Sequence, residues 1–171
     1  MKTLKFIIVV SIMLLISGGL HAEESTKDQF KKNAVYVDLL GNGLLLSINY
    51  SRVIVKKDRF FLSGQLGIGG ELSVPMFAVP HQVTLNIGKP GKKSYFEVGV
   101  GGTFAHGTDW RNGRNDVHLF SYMLSPIAGY RFQGRRFFFR AYLSPLIQIA
   151  GYTYNRWAVT PYGGISLGVA F

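Results

Sequence analysis

Gly163-Gly164-Ile165-Ser166-Leu167-Gly168-Val169-Ala170-Phe171 is the last stretch of the 171-residue sequence. Large apolar residues occupy 165, 167, 169 and 171, with serine, glycine and alanine between them. Successive side chains of a strand point to opposite faces, so this segment has one apolar face and one small, partly polar face. An exposed apolar strand end invites aggregation in a soluble protein. In a transmembrane barrel the last strand closes against the first and turns that face to lipid.

The other end of the sequence agrees. Lys2 and Lys5 precede an aliphatic run from Phe6 to Ile16, then Ser17-Gly18-Gly19-Leu20-His21-Ala22 and the charged Glu23-Glu24. This is the layout of a secretory signal, too short to span a bilayer as a helix, and cleavage is expected after Ala22. With no cysteine, neither lipid attachment at a thiol nor a disulfide framework is possible. Without residues 1–22 the chain has 149 residues, one domain's worth, with 17 lysines and arginines against 9 acids. So basic a chain suits nucleic acid or an anionic membrane surface, and export excludes nucleic acid as a partner.

Residues 23–33 read as a polar, mobile periplasmic leader with Phe30 its one large apolar residue. From 34 to 171 the pattern is strand-like, without a helical stripe. Candidate strands fall at 34–41, 43–55, 59–69, 79–88, 94–104, 118–132, 136–149 and 160–171. Eight is an even number, and most of these have the ~9–11 residues a spanning strand needs. The expected fold is therefore all-β: an eight-stranded antiparallel up-and-down transmembrane barrel in a Gram-negative outer membrane.

Loop lengths set its orientation. Connections at 55–59, 88–94 and 133–136 are short, whereas those around 70–78, 105–117 and 150–160 are longer, as periplasmic turns and external loops should be. Gly41-Asn42-Gly43 breaks the rule, as a tight turn on the long-loop side. Lys56-Lys57-Asp58-Arg59, Lys89-Pro90-Gly91-Lys92-Lys93 and Arg135-Arg136 all fall in the short turns, where they meet phospholipid head groups or simply water.

Alternation continues inside the strands. Leu44, Leu46, Ile48 and Tyr50 oppose Leu45, Ser47, Asn49 and Ser51, and Val83, Leu85 and Ile87 oppose Gln82, Thr84 and Asn86. A soluble barrel would bury the apolar set, and periodicity alone does not choose. The aromatics do: Phe60, Phe96, Tyr130, Phe132, Phe137, Phe139 and Phe171 gather near the short turns, as an interfacial girdle requires.

On the polar face, Arg131 and Arg140 approach each other if the hairpin turns at Arg135-Arg136, and two arginines in a narrow barrel need counter-charges. Asp38 and Glu97 are the inward acids at that depth. These four are expected to plug the interior and block conduction, since eight strands enclose little more than their own side chains. Ser125-Pro126 and Ser144-Pro145 fall opposite each other in the same hairpin and predict one local opening of the ladder. The glycines of 67–70 and 99–102 read as small inward residues, because no helix follows either to make a nucleotide loop.

Residues 33–43 (Asn-Ala-Val-Tyr-Val-Asp-Leu-Leu-Gly-Asn-Gly) with Ser47-Ile48-Asn49-Tyr50 resemble the opening of small outer-membrane β-barrel proteins of Bacteroidota. Phe137-Phe138-Phe139-Arg140, Ser144-Pro145-Leu146-Ile147 and Gly163–Gly168 look similar to the same group. The resemblance covers most of the chain and implies the fold and location but no activity, since the family has no defined biochemistry. Ile165, Leu167, Val169 and Phe171 also resemble the C-terminal signal read by the barrel assembly machinery, which is thereby implied as a partner during biogenesis. The seam it forms is expected near Tyr36.

Chemistry is sparse. His106, Asp109, Asp116 and His118 are metal-ligating types, yet their spacing matches no ligand pattern, and nothing calls for a cofactor. Lipid A chemistry would need a serine, a histidine and an acid in contact, and His118 and Ser121 fall on opposite faces of one strand. Trp110, Arg111 and Arg114, with Tyr152, Tyr154, Arg156 and Trp157, form two aromatic-basic loop patches suited to lipopolysaccharide or a surface ligand. A structural membrane role comes first, loop-mediated adhesion second, and lipid A modification a distant third.

Overall fold

A computed structural model describes residues 30–71, 76–108, 118–151 and 159–171, which form ten β-segments and, among the described residues, no helix. β1 (Asn33–Gly41), β2 (Leu44–Lys56), β3 (Phe60–Glu71), β4 (Met76–Ile87), β5 (Ser94–Thr108) and β6 (His118–Gln133) are successive antiparallel neighbours. β7 (Phe137–Leu143) and β8 (Leu146–Gly151) both lie against β6 and make one stave. β9 (Val159–Thr160) and β10 (Gly163–Ala170) make the next, and β10 pairs with β1. The barrel is closed, antiparallel and eight-stranded.

The breaks fall at prolines. Pro145 and Pro161 lack the N–H that a ladder needs, so the two continuous strands expected at 136–149 and 160–171 are each interrupted. Pairing also lengthens strands where alternation fades: β4 begins at Met76 rather than 79, and β5 runs to Thr108 rather than 104. Backbone groups there are satisfied by the neighbouring strand whatever the side chains are.

Side chains sort as the alternation predicts, and the sorting is inside out by soluble standards. Ile48, Leu66, Ile68, Val100 and Leu167 point outward and are about half exposed, while Ser47, Ser51, Ser63, Thr84 and Asn86 are buried in the interior. A bulge at Val53/Val55 in β2 lets Ile54 and Val55 both face out, whereas Val53 stays inside. The short connections gather at one end, here the turn end; the opposite end is the loop end. The expected girdle is present at the turn end, with Phe60, Phe96, Tyr130, Phe137 and Phe171 exposed and Phe132 and Phe139 partly so.

Candidate functional site

The interior is a stack of layers, starting at the turn end with an apolar lid. Phe61 of β3 and Tyr95 of β5 meet edge to face at 4.9 Å, and Phe30 adds its ring at 5.0 Å from Phe61. Two bonds hold this segment of the chain: Val53 N–H donates to Lys32 O at 2.8 Å, and Gln133 Nε2 donates to Lys31 O at 2.7 Å. The leader was expected to be mobile throughout. Its residues 30–32 are instead seated in the barrel mouth, because Phe30 finds an aromatic seat there.

Arg131 comes next. Its guanidinium lies between the rings of Phe61 (5.2 Å) and Phe138 (4.9 Å), and donates to Gln133 Oε1 and to Ser63 Oγ. Tyr36 stacks on Phe138 at 4.7 Å, with its hydroxyl bonded to Gln65. Arg140 lies opposite Arg131 in the ladder, as the proposed turn requires, and pairs with Glu97 at 2.7 Å, both fully buried. The same guanidinium covers the Tyr142 ring at 3.8 Å and reaches Gln82 Oε1 at 3.2 Å. Asp38, the second inward acid, is buried in the same interior with other partners. It accepts from Tyr142 Oη at 2.5 Å and Ser166 Oγ at 2.8 Å.

The loop-end seal is one that the sequence pattern did not show. The Gly41-Asn42-Gly43 hairpin folds into the barrel, leaving Asn42 only 1% exposed. Its side chain donates to Gln82 Oε1 at 3.2 Å and accepts from Ser144 Oγ at 2.7 Å; its carbonyl accepts from Thr103 Oγ1 at 2.5 Å. The backbone N–H donates to Tyr142 Oη at 3.2 Å, which links this cap to Asp38. A side chain at Gly41 would collide with the Tyr142 hydroxyl, and one at Gly43 with Ser47. The two glycines around one amide were the available signal: only a turn without side-chain bulk can enter so narrow an interior.

The predicted opening between the prolines is present. β6–β7 and β6–β8 pairing is missing across Ser125–Ile127 and Ser144–Leu146, yet Ala128↔Leu143 and Leu124↔Ile147 keep one register across the gap. Ser144 N–H turns to Tyr162 O at 2.8 Å. The glycine expectation holds for Gly67, Gly69, Gly99 and Gly101 and fails for Gly70, which lies on the outward side opposite Phe77, and for Gly102, which lies outward beneath Tyr122 and His81. Tyr122 and His81, hydrogen-bonded at 3.1 Å, join Phe104 and Phe120 in a second outward aromatic band toward the loop end. Its members come from three strands, so only register assembles it.

Ile165, Leu167 and Val169 face outward as expected, and Phe171 exchanges two backbone bonds with Asn33, at 2.9 and 3.0 Å. Phe171 therefore meets β1 three residues from Tyr36, which itself lies in the seam opposite Gly168. The loop candidates Trp110, Arg111, Arg114, Tyr152, Tyr154, Arg156 and Trp157 lie outside the described residues, as do Asp109 and Asp116. Among the described residues no group of three metal-ligating side chains occurs.

Among solved structures this chain shares its fold with the N-terminal β-barrel domain of Pseudomonas aeruginosa OprF. The match has a TM-score of 0.57 at 16% identity and covers 82% of this chain and 96% of that one. No protein-family model matches the sequence, and no curated protein matches it.

Proposed function

We propose that this chain is a small outer-membrane β-barrel protein with a structural, membrane-embedded role, and that it does not conduct. The observation that carries the reading is the pairing of an apolar outer wall with a filled polar interior. Outward Ile, Leu, Val and Phe side chains stand about half exposed along the wall, which is the arrangement a bilayer solvates and water does not. Arg140 reaches across the interior to Glu97, Gln82 and Gln65, with Asn42 above it and Phe30 below. Eight strands leave no space around such a stack for an ion path. The OprF-like fold, the secretory leader and the resemblance to Bacteroidota barrels support an outer-membrane location, with the turn end toward the periplasm and lipopolysaccharide around the loop end.

Two measurements test it. Fractionation should place the chain in the outer membrane, with faster gel migration unboiled than boiled; recovery in the soluble periplasm would refute the location. Planar-bilayer recording should show no steady conductance, and a stable open channel in the unmodified protein would refute the sealed interior.

A further inference from the structure

The turn end is far more basic than its surroundings, and one sector of it is built. Lys31, Lys92, Lys93 and Arg135 surround a cavity of about 30 Å³, without a carboxylate in its lining. Its walls are pinned from three sides. Tyr95 Oη bonds to Lys92 O, Gln133 N–H donates to Lys93 O at 2.7 Å, and Gln133 Nε2 donates to Lys31 O. A cavity this small holds roughly two water-sized atoms, too few for a sugar or nucleotide but enough for two phosphoryl oxygens.

Just outside the same rim begins an apolar groove of about 880 Å³ on the outer wall. It starts at Phe96 and Tyr130, three residues along the strands from the cavity's Lys93–Gln133 bond, and runs to Leu39 and Leu40. Ala128, Ala141 and Gly163 make its floor, three small residues whose ladder partners are the larger Val98, Tyr130, Leu143 and Ile165. Leu40 has φ of 53°, which breaks the alternation so that two consecutive leucines face outward and wall the far end.

We propose that cavity and groove together bind one anionic glycerophospholipid of the periplasmic leaflet. Its phosphate sits against Lys92, Lys93 and Arg135, and an acyl chain lies in the groove over Ala141. This inference rests on the membrane reading above. Charge selects the occupant: a zwitterionic lipid fills the groove equally well but gains less from four cations. The size of the cavity places the charge on a phosphate, and the adjoining groove supplies what a free anion has no use for.

The test is retention of added lipid by the full chain, purified from membranes in mild detergent and followed by native mass spectrometry. The unmodified protein should keep dioleoyl phosphatidylglycerol about tenfold better than dioleoyl phosphatidylethanolamine. The triple variant K92Q/K93Q/R135Q should lose that preference, and Ala141→Leu, which fills the groove floor, should weaken both lipids alike. Heat-modifiable migration checks that each variant is folded, and Ile48→Ala, elsewhere on the wall, should bind like the unmodified protein. Equal retention of both lipids by the unmodified chain, or undiminished retention by both groups of variants, would overturn the proposal. So would displacement of phosphatidylglycerol by inorganic phosphate at the same concentration, which would mark a free-anion site. A barrel found in the outer membrane without lipid preference sinks this inference alone.

Discussion

At the scale of single residues, Glu97 and Arg140 are the most consequential contact. A buried pair contributes little over an apolar replacement, but breaking it leaves a lone charge in a closed interior. Arg140→Ala should therefore cost about 3–5 kcal/mol in urea unfolding of the vesicle-refolded barrel, and Glu97→Gln a similar amount. The double variant E97Q/R140A should cost clearly less than the sum of the two singles; strict additivity would show that the 2.7 Å contact carries no coupling. Arg131→Lys should also destabilise, because an ammonium cannot lie flat between Phe61 and Phe138 and bond to Gln133 as well. Side-chain parity and the scarcity of inward acids made these charges legible in the sequence. Which acid met which arginine was not, since that depends on the stagger of strands across the barrel. Thus Glu97 pairs with Arg140, and Asp38 binds Tyr142 and Ser166.

Among elements, the inward hairpin and the proline gap are the two departures from a regular barrel. Asn42→Ala removes two side-chain bonds and leaves Ser144 and Gln82 short of partners, at a cost of about 1–3 kcal/mol measured by the same unfolding assay. Asn42→Asp should cost at least as much, because the donor to Gln82 is lost and a carboxylate is placed near Asp38. The proline gap should appear in amide exchange. Pro126 has no N–H and Ile127 stays paired with Gly99 of β5, so the amides to watch are Leu124 and Ala128, whose pairings border the gap and which should exchange faster than Tyr130 within the β6–β7 ladder. Equal protection of the three would mean that the gap does not weaken the ladder in solution. The gap was legible because two Ser-Pro pairs fall at mirrored positions of one hairpin. The hairpin's direction was not, because Asn-Gly specifies a tight turn and says nothing of which way it leans.

For the molecule as a whole, the central claim is the inverted distribution of polarity. If a bilayer surrounds the wall, the cost of a charge there depends on depth. Ile68→Arg or Val100→Arg should destabilise the vesicle-refolded barrel by about 2–4 kcal/mol, whereas Phe137→Arg at the rim should cost about 0–1 kcal/mol. A soluble barrel would show no such gradient, since all three side chains are half exposed. Strand number, closure and the facing of each side were legible from the period of two, the loop lengths and the aromatic ends. The loop-end aromatic band was not, as His81, Phe104 and Tyr122 come together only through register.

The two bonds between Asn33 and Phe171 have one more consequence. They bring both limits of the barrel to the same height on the same side, so its staves form a cyclic series with no privileged first member. A circular permutant, joining 171 to 30 through a short linker and opened at Gly91, keeps every strand neighbour while moving Phe171 to the middle of the polypeptide. Such a chain keeps the ring closed at Phe171 while removing any free end there. If it refolds in vesicles but fails to reach the outer membrane in cells, Phe171 acts as a recognised terminus as well as the edge that completes the ring.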